Sequence, residues 1–219
     1  MTNSGIGNIP YWDAFYSSNL PLELEEPSPF AKSVVHWLPA NTHVIDVGCG
    51  NGRDSIFFLN NGFGVTALDG SSSAIQKLCQ SESRFEINQN SFILNFEDLQ
   101  ETMENANCLS LKLSTVSFAI YARFFLHAIS EFAQKSFFDW VAEILRPGEF
   151  IFLEYRSPQS SDFYAMGSHF RRLIEPKTVS DLLIALGFEI MESDSSKDFA
   201  PFKSETAMVS RTIARKLPC

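Results

Sequence analysis

The chain has 219 residues, of which 45% are hydrophobic and 20% are charged, so it can form one substantial core and has the composition of an ordinary globular protein. It is too short to hold a cofactor domain and a separate full-size catalytic domain. Its formal net charge is -9 and it contains no Lys/Arg-rich run, which argues against nucleic acid and an anionic membrane surface as partners.

The cysteines give no sign of a metal site or of disulfides. None of the four, Cys49, Cys79, Cys108 and Cys219, forms a CxxC pair, so the sequence predicts neither a zinc site nor a disulfide framework. The N-terminus lacks the pattern of a signal peptide, and no apolar stretch is long enough to span a membrane. We therefore expect a cytoplasmic protein.

Two helices are predicted before the first strand. Residues 28–37 should form a helix, with Ser28 as N-cap and Pro29 in the first position. We expect residues 1–40 to be an N-terminal helical cap or lid and residues 41–219 to be the core. An aromatic cluster near the start of the chain has the spacing of one helical face: Tyr11, Trp12, Phe15 and Tyr16.

From residue 43 onward, predicted strands and helices alternate. The strands are THVIDV, FGVTALD, SFILNF, STVSFAIYA and FIFLEY, and the helices between them are RDSIFFLNNG, SSSAIQKLCQ, EDLQETMENAN and SEFAQKSFFDWVAEIL. A last helix, EPKTVSDLLIALG, precedes the strands FEIMES and TAMVSRTIAR, which lie too close in sequence for a helical crossover and should pair antiparallel. The pattern predicts an α/β fold with a doubly wound, mainly parallel sheet, whose ligand crevice lies at the carboxyl ends of the strands.

The turn after the first predicted strand carries the strongest functional signal. It reads DVGCGNG, with Asp46 followed by Gly48, Gly50 and Gly52. Glycines let the chain turn sharply and let a ligand approach the backbone. Asp69 ends the next strand, where a carboxylate can accept hydrogen bonds from ribose hydroxyls. The third glycine comes one position too early for the dinucleotide fingerprint, and Asp46 suits an ammonium group better than a pyrophosphate.

With this motif the sequence resembles the class I S-adenosylmethionine-dependent methyltransferases. ALDGS, LRPGE and the terminal GFEI…TAMVSRTIAR also look like that family, and the resemblance spans residues 28–219. GCGNGRDSIFF, together with YWDAFY…PSPFAK ahead of it, looks like small bacterial enzymes that act on small molecules or sugar precursors. The resemblance implies a Rossmann-like seven-stranded sheet with an antiparallel C-terminal strand. It also implies S-adenosylmethionine as cofactor, S-adenosylhomocysteine as product, and no metal.

The cofactor site implied by the resemblance is assigned residue by residue. The glycine motif would line the methionine and adenosyl portion, Asp69 would hold the ribose, and the loop after the third strand would meet the adenine. The implied cofactor-binding residues are Asp46, Gly48, Cys49, Gly50, Gly52, Asp69, Gly70, Ser71, Glu97, Asp98 and Tyr121.

The acceptor should lie beside the segments that follow the fourth and fifth strands. If a helix begins within YARFFLHAI, Arg123 and His127 share one face. Several arginines of an acidic chain fall in these segments, which suggests an anionic acceptor that carries a carboxylate or phosphate. The candidate catalytic residues are His127, His169 and Tyr121. The candidate acceptor-binding residues are Tyr11, Trp12, Tyr16, Arg123, Phe124, Glu154, Arg156, Arg171 and Arg172.

Other interpretations of the same residues stay open. Asp69 can serve as a helix cap, His127 as a core histidine, Arg171 and Arg172 as surface ion pairs, and the N-terminal aromatics as core. The leading hypothesis is methyl transfer to an O or N of a small metabolite. The alternatives are a peptide or glycan precursor as acceptor, a nicotinamide oxidoreductase, and a non-catalytic subunit that binds the cofactor. No macromolecular partner is predicted, and a homodimer is left open.

Overall fold

The computed structural model describes residues 9–18, 26–80, 90–98, 100–102, 104–105, 115–158, 172–200 and 208–218. Its α-helices are Ile9–Ser17 (α1), Pro29–Val34 (α2), Arg53–Asn60 (α3), Ser72–Cys79 (α4), Glu131–Ile144 (α5) and Pro176–Ala185 (α6). Its strands are His43–Val47 (β1), Gly64–Asp69 (β2), Ser91–Ile93 (β3), Phe118–Arg123 (β4), Phe150–Arg156 (β5), Phe188–Ser196 (β6) and Val209–Lys216 (β7). Two 3₁₀-helices cover Val35–Trp37 and Leu126–Ala128, and residues 100–102 and 104–105 are helical.

The strands form one seven-stranded sheet in the order β3-β2-β1-β4-β5-β7-β6. The first five strands of the chain pair in parallel, whereas β7 runs antiparallel to both β5 and β6. The predicted doubly wound sheet with an antiparallel C-terminal strand is confirmed. In the part of the chain that the structure describes, no helix is both long and apolar enough to cross a membrane.

Helices cover both faces of the sheet, so each central strand is buried on its two sides. Alternate residues of β4 show this: Ile120 and Ala122 pack in the cluster that contains α5 and α6, whereas Ala119 and Tyr121 pack in the cluster that contains α2 and α3. Because side chains alternate along a strand, Asp46 in β1 points to the same face as Tyr121, which lies opposite it in register. The sheet therefore directs both polar groups toward α3.

The segment before β1 joins the core through a buried polar network. The Ser28 hydroxyl accepts a hydrogen bond from the Ala31 amide (3.0 Å), which confirms the predicted N-cap. The same hydroxyl donates to Asp54 Oδ2 (2.7 Å), the Ser28 amide donates to Asp54 Oδ1 (2.8 Å), and the Tyr121 hydroxyl donates to Asp54 Oδ2 (2.8 Å). Together with buried Phe30, these contacts fix α2 against the sheet.

The helix α1 docks on α4 through polar contacts near its middle and beyond its end. Asp13 Oδ1 accepts hydrogen bonds from the Ser71 hydroxyl (2.7 Å) and the Ser73 amide (3.0 Å) at the N-terminus of α4. Lys77 Nζ donates to the Ser18 carbonyl (2.9 Å), just after α1 ends. None of the residues of α1 is fully buried. The predicted aromatic helix is therefore present and lies on the outside of the core.

We predict that Ser28→Ala lowers the free energy of unfolding by about 1–3 kcal/mol. The substitution removes the N-cap of α2 and one hydrogen bond to the buried Asp54 carboxylate. Urea denaturation followed by circular dichroism measures the change. The matched control is Ser33→Ala, because the Ser33 hydroxyl donates only to the Phe30 carbonyl of the same helix. Equal losses in the two variants would contradict the importance of the network.

Candidate functional site

A cavity of about 590 Å³ lies at the carboxyl ends of the parallel strands, and α1 forms part of its wall. Its position agrees with the crevice predicted from the strand pattern. Many of the predicted site residues line this cavity. On the cofactor side they are Asp46, Gly48, Cys49, Gly50, Asp69, Gly70, Ser71, Glu97 and Tyr121, and on the acceptor side they are Trp12, Tyr16, Arg123 and Phe124.

The glycine turn has a backbone that other residues adopt with difficulty. Gly48, Gly50 and Gly52 have φ angles of 73°, 55° and 78°, in the left-handed region that favours glycine. A Cβ added at Gly50 would lie 2.3 Å from the Tyr16 hydroxyl oxygen, and one at Gly52 would lie 2.2 Å from Leu78 Cδ1. Gly48 and Gly50 line the cavity, whereas Gly52 does not line it and instead allows close packing on Leu78 of α4.

Asp46 is a buried carboxyl that faces the cavity. The Ser55 hydroxyl in the first turn of α3 donates to its Oδ2 (2.5 Å). Burial raises the pKa of Asp46 to about 7, because the hydrogen bond from Ser55 only partly offsets the loss of water and the nearby Asp54 and Asp69 charges add to the rise. A cationic ligand group beside Asp46 would favour its ionised form.

Asp69 holds the glycine turn and the start of α4 together. Its Oδ2 accepts from the Gly50 amide (2.8 Å) and its Oδ1 accepts from the Ser71 amide (2.8 Å). Burial raises its pKa, and these two N–H groups oppose the rise. Asp69 therefore lines the cavity, as expected of the residue predicted to bind ribose. Its two hydrogen bonds also order the glycine turn and the loop before α4.

The side of the cavity near β3 suits a flat apolar ring. Its wall includes Leu94, Phe96 and Phe125, and the rings of Phe96 and Phe125 meet edge to face with centroids 5.5 Å apart. Glu97 lines the same side and accepts from the Ser130 hydroxyl (2.8 Å), the N-cap of α5. The neighbouring predicted residue Asp98 is exposed and does not line the cavity.

The acceptor side is formed at the ends of β4 and β5. Arg123 Nε donates to Glu154 Oε1 (2.8 Å), and Arg211 Nε donates to Glu154 Oε2 (2.8 Å). The Arg123 guanidinium also lies 4.3 Å from the centroid of the Phe124 ring. Glu154 itself is buried and lies outside the cavity wall. This predicted acceptor ligand thus positions Arg123 instead of reaching the cavity.

The expected pairing of Arg123 with His127 on one helical face is wrong. Arg123 is the last residue of β4, and only a 3₁₀-helix follows it, because Phe124 adopts a left-handed backbone with a φ of 54°. His127 is buried, does not line the cavity, and accepts at Nδ1 from the Arg156 amide (3.4 Å). The geometry gives no support to His127 as a base.

The remaining predicted residues fall into two groups. Tyr11, Arg156 and Arg172 are described but do not line the cavity. Arg172 instead forms an ion pair with Glu131 on α5, at 3.4 Å from Nη1 to Oε1. Arg171 and His169 lie outside the described residues.

Tyr121 lines the cavity, but burial and the nearby Asp54 charge raise its pKa well above the usual value, so its hydroxyl acts as a hydrogen-bond donor to Asp54.

Sequence reasoning missed two charged residues of the cavity, Arg53 and Asp54. They form an ion pair, with 3.2 Å between Arg53 Nε and Asp54 Oδ1. Burial would raise the pKa of Asp54, but Arg53, the Ser28 amide and Arg123 lower it below the ordinary value. Their position directly after the glycine motif was the available signal, because the first turn of that helix faces the crevice.

The family model of the tellurite resistance protein TehB matches residues 31–136, just under half of the chain. No curated protein sequence matches the chain. Among solved structures, a methyltransferase from Anabaena variabilis is 17% identical, covers 95% of this chain and 93% of its own, and has a TM-score of 0.65. The glycopeptide N-methyltransferase MtfA is 16% identical, covers 87% and 96%, and has a TM-score of 0.62. These likenesses show a shared fold.

The sheet order, the glycine turn and the carboxylates at the ends of β1 and β2 define a Rossmann-like α/β fold, with a cavity at the place where such folds bind nucleotide-like ligands. The chain shares this fold with the methyltransferases named above. The cavity residues fit S-adenosylmethionine, since Gly48 and Gly50 line the cavity and Asp46 and Asp69 offer acceptors for ammonium and hydroxyl groups. MtfA has been crystallised with S-adenosylmethionine and with S-adenosylhomocysteine.

We predict that affinity for S-adenosylmethionine falls as the pH drops below about 7. The pKa of Asp46 is about 7 without ligand, so the carboxylate that would pair with the cofactor ammonium is present above that pH and is lost by protonation below it. Isothermal titration calorimetry between pH 5.5 and 8 measures the effect.

Asp46→Asn should weaken binding at pH 8 by about tenfold or more and should flatten the pH dependence. Asp139→Asn is the matched control, because Asp139 pairs with Lys135 on the exposed side of α5. If the Asp46→Asn variant kept the full pH dependence of the natural protein, another group would be responsible.

Proposed function

We propose that this protein is an S-adenosylmethionine-dependent methyltransferase that modifies an O or N atom of a small metabolite carrying a carboxylate or phosphate. The proposal is based on the position of Arg123. Its guanidinium lines the cavity and is held in place by a buried carboxylate and an aromatic ring. A cation fixed in this way is suited to binding an anion. It lies at the ends of β4 and β5, on the opposite side of Asp46 from the apolar pocket near β3.

The charges around Arg123 favour an anion there. Arg123 and Arg211 share the single carboxylate of Glu154, and Arg156 lies 5.8 Å from the centroid of the same Phe124 ring that Arg123 covers. Two guanidinium groups thus share one buried carboxylate, and Arg123 also lines the cavity. An incoming carboxylate or phosphate could accept a charge-assisted hydrogen bond from Arg123.

The chain's contribution to the reaction is to bind, align and exclude water. When bound, S-adenosylmethionine supplies a methyl group on a positively charged sulfur, and its transfer leaves neutral S-adenosylhomocysteine. Asp46 would orient the amino-acid end of the cofactor, and Arg123 would hold the acceptor so that its nucleophile faces the methyl group. Trp12 and Phe15 of α1 line the cavity, and their apolar rings would limit the access of water to a bound ligand.

Two other acceptors receive specific support and belong in the same test. The matching family model is that of a tellurite resistance protein, and tellurite is a small oxyanion that a guanidinium could also bind. MtfA is a glycopeptide N-methyltransferase, which keeps a peptide or glycan precursor as an alternative. A screen would distinguish these acceptors. It would measure labelled methyl transfer to carboxylated, phosphorylated and amino metabolites, to tellurite and to glycopeptides. Transfer to neutral amines alone would contradict an anionic acceptor.

We predict that Arg123→Ala raises the KM for the acceptor found in that screen by about ten- to hundredfold, because one charge-assisted hydrogen bond is lost. Steady-state kinetics at saturating cofactor measures the change. The matched control is Arg215→Ala, since Arg215 pairs with Glu189 on the exposed outer strands and lies outside the cavity. An unchanged acceptor KM in the Arg123→Ala variant would remove the basis for an anionic acceptor.

A further inference from the structure

Three charged residues of alternating sign lie side by side across β4, β5 and β7. Arg123 is in register with Glu154, and Glu154 is in register with Arg211. Because side chains alternate along a strand, these three share a face with the residues two positions away, which pack against α2 and α3: Tyr121, Phe152 and Ile213. Glu154 accepts at Oε1 from Arg123 Nε and at Oε2 from Arg211 Nε, both at 2.8 Å. We call the three residues the charged row.

The charged row reaches the cavity at one end. Arg123 lines the cavity, whereas Glu154 and Arg211, which are both described, do not. Burial raises the pKa of Glu154, and the charges of Arg123 and Arg211 oppose that rise. Loss of Arg211 would therefore leave one oxygen of a buried carboxylate without its charged partner and favour the neutral carboxyl, which holds Arg123 less firmly.

Arg211 is itself fixed by contacts that lie away from the cavity. Its guanidinium carbon is 4.1 Å from the centroid of the Phe199 ring and 5.0 Å from that of the Phe30 ring. Its Nη2 donates to the Phe199 carbonyl oxygen (3.2 Å). Phe199 lies between β6 and β7, and Phe30 of α2 stacks on Tyr121 with ring centroids 5.3 Å apart. Arg211 thus connects α2 and the β6–β7 segment to the charged row.

We propose that Arg211 is a positioning residue for the methyl acceptor, because it holds the Glu154 carboxylate that fixes the Arg123 guanidinium at the cavity. This inference rests on the proposed function, in which Arg123 binds an anionic group of the acceptor. A guanidinium that is already fixed loses less side-chain entropy when it binds an anion than a mobile one does. The charged row therefore strengthens acceptor binding although Arg211 makes no contact with the acceptor.

The kinetic test uses the acceptor identified in the methyl-transfer screen. Arg211→Gln should raise the acceptor KM by about three- to tenfold and leave kcat and the cofactor KM within about twofold of the natural values. In the Arg123→Ala background the same substitution should have no further effect, because no guanidinium remains to be positioned. Arg211→Lys keeps a charge beside Glu154 and should restore most of the lost acceptor affinity.

The position of Arg123 can also be followed without an acceptor. Its Nε–H is hydrogen-bonded to Glu154, so its NMR signal, assigned as the one that Arg123→Ala removes, should exchange slowly with water. In Arg211→Gln this exchange should become at least about tenfold faster. An unchanged exchange rate would show that Glu154 holds Arg123 without help from Arg211, and it would overturn the proposal.

Arg215→Ala is the matched control for both measurements. Arg215 lies on β7 four residues after Arg211, hence on the same face, and pairs with Glu189 at the surface. Its substitution should change neither the acceptor KM nor the exchange rate.

The kinetic outcomes separate this inference from the function on which it rests. A raised acceptor KM in Arg123→Ala with an unchanged one in Arg211→Gln would overturn the role of Arg211 and leave the anionic acceptor in place. An unchanged acceptor KM in Arg123→Ala would overturn the proposed function, and the positioning role with it. Equal effects of Arg211→Gln with and without Arg123 would show a general loss of structure and contradict the proposal. If Arg211→Gln does not fold, Phe199→Ala removes the ring beside Arg211 and is judged by the same comparisons.

Discussion

The site depends on one buried carboxylate, that of Asp54. It accepts hydrogen bonds from Ser28 ahead of α2 and from Tyr121 in β4, and it pairs with Arg53 beside it. Three segments far apart in sequence thus meet at a single charge. A buried carboxylate is costly unless its oxygens are satisfied, so these partners are held in fixed positions. Arg53, Asp54 and Tyr121, which meet in that arrangement, all line the cavity.

The distribution of charge around the cavity follows from how each arginine is held. Asp54 holds Arg53, and Glu154 holds both Arg123 and Arg211. The anchoring carboxylate Glu154 is buried behind the wall, whereas Arg53 and Arg123 face the cavity. A strongly acidic protein can therefore present fixed cations to a ligand, because the carboxylates that balance them orient the guanidinium groups and restrict their motion.

The fold was predictable from the sequence, and the acceptor side was predictable only in part. Glycine spacing and hydrophobic periodicity are local, so the strands, the helices and the cavity-lining Asp46 and Asp69 could be identified directly. The helix assumed after β4 was wrong, since the left-handed backbone of Phe124 ends the strand and no local propensity signals such a conformation at phenylalanine. Arg53 was overlooked because a charged residue in the first turn of a helix is usually solvated.

The position of α1 affects how this protein can change over evolutionary time. The helix supplies Trp12, Phe15 and Tyr16 to the cavity wall, yet none of its residues is fully buried, and polar contacts from Asp13 and Lys77 attach it to α4. Substitutions on its ligand-facing side therefore remove little core packing and cost little stability. The lining of the cavity can diverge among descendants of such a protein through changes in α1, while the sheet and the glycine turn remain under separate and stricter constraint.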